Sequence, residues 1–283
     1  FMKKYLSLIK FSHTIFALPF AIIGFFLSYP ESNISYLTFI YVMMCMVFAR
    51  SAAMAFNRYI DRDIDTINPR TSEIREIPSK KIKPSSALKF VILNSIFFVI
   101  TTFLINQLCF LLSPIALIII LGYSYTKRFT FLCHFVLGIG LSLSPIGAYL
   151  AVTETFDILP IYFSMIVFFW VAGFDIIYSL QDEKFDTENK LNSIPVYLGK
   201  KNALLLSRFL HFICFLILIF IGTRNNFGEY YFIGGAIFSS LLIYQHTLVK
   251  HDDLKNVNIA FFTTNGIASV VFGFFVILDM FIN

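Results

Sequence analysis

Charge is scarce in this sequence. Of its 283 residues only 14% are Asp, Glu, Lys or Arg, while 58% are hydrophobic. Soluble globular domains run at about 25% and about 45–50%, so an ordinary soluble domain is excluded and an integral membrane protein remains. Cysteine is scarce as well. Cys45, Cys109, Cys133 and Cys214 are widely spaced, form no CxxC pair and fall in apolar stretches, which argues against a disulfide framework or a thiolate metal site and for small core residues. Low-complexity tracts and a strong internal repeat are both absent. The first 30 residues have the basic flank and apolar run of a signal peptide but no small-residue cleavage site, and further apolar runs follow at once. They are therefore read as mature structure, with Phe1 ahead of Met2 as an uncertain start. Phenylalanine is plentiful, at 36 residues; codon bias accounts for that as readily as a binding site does.

Runs long enough to cross a bilayer, about 20 residues each, recur near 12–29, 36–56, 86–106, 108–125, 131–152, 158–180, 203–222, 229–248 and 258–281. The reading is an all-α bundle of nine transmembrane helices forming one domain over residues 1–283. Polar punctuation separates the spans, for example "PESNIS" after the first and "TRNNFGE" after the seventh. Lys and Arg concentrate in cytoplasmic loops, and with the amino terminus inside only Arg224 of the 22 basic residues falls outside. The net charge of +5 is thus a topology signal, and no nucleic-acid partner is inferred from it. An acidic run follows the second span and another the sixth, both on the cytoplasmic side.

Helical residues four or seven apart share a face. Arg50, Asn57, Asp61 and Asp65 form one stripe at the inner end of span two, with Asp63 pointing elsewhere, and Asp175, Tyr178, Asp182 and Asp186 form a second in span six. Stacked carboxylates repel each other and need a compensating cation. Lys and Arg can supply it as a salt-bridge network between helices. The sharper reading is Mg²⁺, a hard cation commonly bound through one or two carboxylates plus substrate phosphates. Two facing stripes can hold two ions with a diphosphate between them. The neighbouring bases then make sense, because phosphate oxygens accept charge-assisted hydrogen bonds. Arg70, Arg75, Lys127 and Arg128 are the candidates, with Arg75, Lys80, Lys81 and Lys83 equally readable as headgroup residues. Lys127 stands four residues after Tyr123 at the inner end of span four.

At these residues the sequence resembles the UbiA superfamily of membrane prenyltransferases, whose members carry NxxxDxxxD after the second helix and DxxxD after the sixth. Here the motifs read Asn57, Asp61, Asp65 and Asp182, Asp186, within "ARSAAMAFNRYIDRDID" and "GFDIIYSLQDEKFD", with "YSYTKR" between them. The match runs through essentially the whole chain, and its nearest group is the 4-hydroxybenzoate polyprenyltransferases. The resemblance implies Mg²⁺-dependent transfer of a polyprenyl chain from its diphosphate to a small aromatic acid within the bilayer. It implies that Asp61 and Asp65 hold one ion and Asp182 and Asp186 the other, with Asn57 assisting. Lys127 and Arg70 would bind diphosphate, Tyr123 would sit near the reacting carbon, and Arg50 and Asp175 would lie deeper, toward the acceptor. The chain departs from many relatives in carrying Lys190, Leu191, Asn192, Ser193 where glycine and then lysine precede serine, and Arg58 where a second acid is frequent.

The chemistry follows from the charges. Ionising an allylic diphosphate separates a carbocation from a highly charged leaving group, which Mg²⁺, Lys and Arg stabilise. A dry chamber keeps water from the cation, and aromatic faces such as Tyr123 or Tyr178 favour positive charge. Asp175 is the candidate for orienting or activating the acceptor, against a plain ion pair with Arg50. A deep Arg50 suits an aromatic carboxylate, since charged residues at membrane depth usually mark a site. His13, His134, His211, His246 and His251 show no ligand spacing and are read as packing or interface residues, and Asn265 as a helix-to-helix hydrogen bond. The expected place is a bacterial-type cytoplasmic membrane with the active site toward the cytoplasm, in quinone biosynthesis and without an obligate protein partner. Alternatives are prenylation of a dihydroxynaphthoate for menaquinone, a solute or ion transporter with acidic helix ends, a CDP-alcohol phosphotransferase, whose aspartate pattern carries glycines lacking here, and a purely structural membrane subunit.

Overall fold

The computed structural model describes residues 2–10, 14, 16–29 and 35–283; Phe1, His13, most of the "PESNIS" junction and part of the first expected span lie outside them. The described chain is helical, and no strand occurs in it. The helices are α1 (Met2–Leu8), α2 (Leu18–Phe26), α3 (Tyr36–Ile60), α4 (Arg62–Ile67), α5 (Pro84–Ile105) and α6 (Gln107–Thr126). There follow α7 (Cys133–Thr153), α8 (Ile158–Ser179), α9 (Glu183–Glu188), α10 (Ile194–Arg224), α11 (Glu229–Leu248) and α12 (Asn265–Ile282). Seven helical stretches among the described residues are long and apolar enough to cross a membrane. They are Tyr36–Ile60, Pro84–Ile105, Gln107–Thr126, Cys133–Thr153, Ile158–Glu188, Ile194–Arg224 and Ile259–Ile282. Large apolar side chains such as Ile118, Leu205 and Phe274 are exposed on them, as a lipid-facing surface requires. Of the other two expected spans, the first is described only in part, around α2. The eighth coincides with α11, whose apolar content is diluted by Glu229, Ser239, Ser240, Gln245, His246 and Thr247.

Contacts divide the chain into two compact units, one of Phe1–Thr14 with Tyr36–Tyr125 and one of Ile15–Ser35 with Thr126–Asn283. In the first, α3 packs along α5 through small residues, Ala52 and Ala55 against Ala87 and Val91, which allow close backbone approach. Leu8, Ile9, Ile77 and Ile82 complete that core, so α1 and the segment before α5 belong to it. Pro84 opens α5 at a position where its missing N–H costs nothing. Asn106, in extended backbone, ends α5 and accepts the Cys109 N–H at 2.8 Å, starting α6.

In the second unit α8 is the central helix, with Phe163, Ile166, Val167, Trp170, Val171, Phe174, Ile176 and Ile177 all buried and α7 and α10 packed along it. A helix apolar all round belongs in such a place. Asp157 caps it, accepting the Leu159 N–H at 2.9 Å. Gly24 of α2 lies against the backbone of Pro145 in α7; a Cβ there would fall 2.1 Å from the carbonyl oxygen. Asp279 of α12 accepts the N–H groups of Gly228 and Tyr231, satisfying the start of α11 across the unit.

Three local departures from the expected helices bear on the site. The second span does not run unbroken through Asp65: α3 ends at Ile60 and α4 begins at Arg62, with Asp61 between. The sixth passes from α8 through a tight 3₁₀ turn, Leu180–Asp182, into α9. The seventh starts earlier than its apolar run, at Ile194, because Ser193 caps it and Pro195 sits in its first turn; it bends at Gly199, whose φ of 74° is one that only glycine adopts freely.

Candidate functional site

The first motif lies in the first unit. Two helical hydrogen bonds cross the break, from Asp61 N–H to Asn57 carbonyl at 2.9 Å and from Asp65 N–H to Asp61 carbonyl at 2.7 Å. They keep the spacing of the expected stripe. Asn57 Nδ2 donates to Asp61 Oδ2 at 2.9 Å, which joins the first two motif residues directly. Asp65 is buried and ion-paired with Arg75, and Thr71 Oγ1 donates to its backbone carbonyl at 3.0 Å. Asp63, by contrast, is exposed and among the described residues meets only Arg62, at 3.8 Å, as the helical spacing predicts.

The segment after α4 returns Arg75 to the motif through a chain of short-range bonds. Asn68 Oδ1 accepts the Arg70 N–H at 2.9 Å, and the Arg75 N–H donates to the Thr71 carbonyl at 2.9 Å. Glu76 is buried and hydrogen-bonded by Ser7 of α1. Arg75, read from sequence equally as a headgroup residue, therefore stands at the carboxylates. Arg58 is buried beside them, its Nη1 3.4 Å from Asn57 Oδ1. Arg50, two turns deeper in α3, is half-buried, with an Nε that has no hydrogen-bond partner among the described residues. Tyr123 and Arg70 are half-buried in the same unit.

The second motif repeats the arrangement in the second unit. Asp186 of α9 is fully buried, and Lys127 Nζ lies 2.7 Å from its Oδ1. The backbone holds the two in register: Leu191 N–H donates to the Asp186 carbonyl at 2.9 Å, and Asn192 N–H to the Lys127 carbonyl at 2.8 Å. Asp182 is half-buried at the end of the 3₁₀ turn and Arg128 half-buried beside Lys127, whereas Lys190 is exposed. Tyr178 stacks obliquely on Phe261, ring centres 4.2 Å apart.

Asp175 has a partner within its own unit that the sequence did not offer. Its Oδ2 lies 2.7 Å from Nδ1 of His134, at the start of α7. Nothing in the sequence marked this: 41 residues separate the two, and no ligand spacing singles out His134. His211 and His246 form a second contact, 2.9 Å between ring nitrogens, inside the bundle. Asn265 accepts the Trp170 indole N–H at 2.7 Å and donates to Gln245, a bond between helices as read. The four cysteines are free; Cys214 alone is fully buried.

In both units the later aspartate of a DxxxD pair is thus withdrawn from solvent against a single Lys or Arg. The carboxylate oxygens themselves are ligands of the kind that suits a hard divalent cation. Among the described residues no three His, Cys, Asp or Glu are gathered into a metal cluster, so an ion here would be held by one or two carboxylates, with water or phosphate oxygens completing its shell. A cation arriving at either carboxylate would free the Lys or Arg for a phosphate oxygen.

The model of the UbiA prenyltransferase family matches residues 17–267 and so runs through both units. The 4-hydroxybenzoate octaprenyltransferase of Vesicomyosocius okutanii subsp. Calyptogena okutanii is 31% identical over 227 residues, 80% of this chain and 82% of that protein. The enzyme of the same name from Francisella tularensis subsp. novicida is 26% identical over 245 residues, 87% and 85% of the two chains. Among solved structures, the apo form of a UbiA homolog from Aeropyrum pernix K1 superposes with a TM-score of 0.86 at 31% identity, over 95% of this chain and 98% of that one. A UbiA homolog from Archaeoglobus fulgidus bound to GPP and Mg2+ shares the fold at a TM-score of 0.74 and 21% identity, over 99% and 100%. With the family model covering most of the chain and a relative above 30% identity covering four-fifths of it, the chain belongs to the UbiA prenyltransferase family and is an enzyme of prenyl transfer.

Proposed function

We propose that this enzyme transfers a polyprenyl group from its diphosphate to 4-hydroxybenzoate, with Mg²⁺, as one nine-span catalytic domain in a bacterial-type cytoplasmic membrane. The observation that carries the reading is the repeated device just described. Asp65 with Arg75 and Asp186 with Lys127 are carboxylate–cation pairs, one in each DxxxD motif, poised to exchange partners with a metal–diphosphate. A purely structural salt-bridge role would leave the repeated DxxxD spacing without a reason, and a transporter would place its acids nearer mid-membrane.

In this reading Asp61 and Asp65, with Asn57, would hold one Mg²⁺, and Asp182 and Asp186 the other, so that bound metal would supply positive charge to the departing diphosphate. Lys127, Arg128 and Arg70 bind its oxygens and stabilise the charge that builds there as the allylic C–O bond breaks, the bonding pair leaving with the diphosphate. Tyr123 presents an aromatic face to the allylic cation. Arg50 takes the carboxylate of the acceptor, and Asp175 orients and activates its ring. A ring carbon then forms the new C–C bond, and loss of the ring proton to Asp175 restores aromaticity. The active site faces the cytoplasm, and the partners are the prenyl donor, the aromatic acid and the bilayer.

The test is to supply purified enzyme and Mg²⁺ with one polyprenyl diphosphate and both 4-hydroxybenzoate and a dihydroxynaphthoate, and to identify products by mass. Prenylated hydroxybenzoate with equimolar diphosphate release is expected. Conversion of the naphthoate alone would overturn the acceptor, and conversion of neither would overturn the quinone assignment.

A further inference from the structure

Asp175 needs more than its place on α8 to act on an acceptor. A carboxylate on a helix turns freely about two side-chain bonds, and a group that must meet one atom of a small ring performs only when held. His134 holds it. The imidazole is 4% exposed at its side chain, the Asp175 carboxylate 22%, so the histidine is the enclosed member of the pair and the aspartate the open one.

The other ring nitrogen of His134 settles which way the bond runs. The backbone N–H of Ile194, at the start of α10, points at Nε2 from 3.4 Å. A backbone N–H can only donate, so Nε2 accepts and the proton of the neutral ring sits on Nδ1. Nδ1–H therefore donates to Asp175 Oδ2 at 2.7 Å, which fixes the orientation of the carboxyl group. Ile194 is itself fixed beside the second motif. Asn192 N–H bonds the Lys127 carbonyl, Cys133 Sγ lies 3.7 Å from the Asn192 carbonyl, and Ser193 caps α10. One ring thus ties three elements of the second unit together: α7 carries it, α8 receives its proton bond, and the α10 start locks its tautomer.

We propose that His134 is a positioning residue for prenyl transfer: through Nδ1–H it holds the Asp175 carboxyl group aimed at the aromatic acceptor. The proposal rests on the role given to Asp175 above and assigns His134 no contact with substrate.

The test compares His134→Asn, His134→Gln and Asp175→Asn in steady-state kinetics with a polyprenyl diphosphate and 4-hydroxybenzoate. Each protein is first checked as monodisperse in detergent. Asparagine places an amide N–H near the position of Nδ1 and should keep kcat/KM for the acceptor within about five-fold of the parent, the scale of one altered hydrogen bond. Glutamine reaches past that position toward Nε2. It should lose about ten- to a hundred-fold in kcat/KM for the acceptor, the usual effect of removing an orienting partner, with KM for the prenyl diphosphate unchanged. Equal losses in the Asn and Gln variants would mean mere packing and overturn the proposal, as would parental activity in His134→Gln or a loss confined to the diphosphate KM. Asp175→Asn separates the two levels. If it stays active, the role of Asp175 falls and this inference with it; if it is dead while His134→Gln is normal, only the positioning role falls.

Discussion

Lys127 and Asp186 offer an asymmetry that can be measured. The ammonium is 2.7 Å from a carboxylate with no exposure, but the Lys127 side chain is itself 34% exposed. At that separation the attraction is about 6 kcal/mol for an effective dielectric of about 20 and about 1.5 kcal/mol in water. The pair lies between those limits, and the two partners differ in what they suffer on separation. Lys127→Met strands a fully buried carboxylate, which costs about 3–5 kcal/mol. Asp186→Asn leaves an ammonium that already reaches water, which costs about 1 kcal/mol. The double variant strands neither charge, so it should be more stable than Lys127→Met alone, with a coupling of about 2–3 kcal/mol. Equilibrium unfolding of the purified protein in detergent measures all four corners of the cycle. Mg²⁺ should restore part of the stability of Lys127→Met, since an ion bound only by the folded state shifts the equilibrium toward it. Equal losses in the two single variants, or simple additivity in the double, would refute the picture of an enclosed acid held by a half-open base.

Two further outcomes follow from the site and the bundle. Asp61→Ala or Asp182→Ala should abolish turnover while the protein remains inserted in the membrane, measured by product mass and by membrane fractionation; near-normal turnover would contradict the metal roles. Asn265→Leu removes the acceptor of the Trp170 indole and the donor to Gln245. Bonds of this kind are worth about 0.6 kcal/mol each on average within membranes, so the two together predict a loss of about 1 kcal/mol. Trp170 is the sole tryptophan of the chain, so its emission should shift to shorter wavelength as the indole N–H loses its partner; unchanged emission would show that the bond does not form.

The stripe logic survived in the first motif because backbone bonds from Asp61 to Asn57 and from Asp65 to Asp61 continue the helical spacing across a break that spacing cannot reveal. A turn at Asp61 needs no glycine or proline, so nothing in the residues announces it. Arg75 was ambiguous for a different reason. Seven residues of irregular chain, 68–74, stand between the end of α4 and Arg75, and only the folded course of Asn68, Thr71 and Glu76 brings its guanidinium back to Asp65. His134 carried no signal at all, since its meaning lies in Asp175 and Ile194, each remote in sequence.

Composition and periodicity by themselves determined that the chain is a helical membrane protein with two acidic stripes at helix ends, because hydrophobic length and the 3.6-residue turn are local properties that every folded state must respect. They could equally read Arg75 as a lipid-headgroup charge. Tertiary structure decided which cation meets which carboxylate, which acid is buried and which histidine meets Asp175. Those choices depend on distance through space, and no local rule of the chain encodes a distance between residues forty or sixty positions apart.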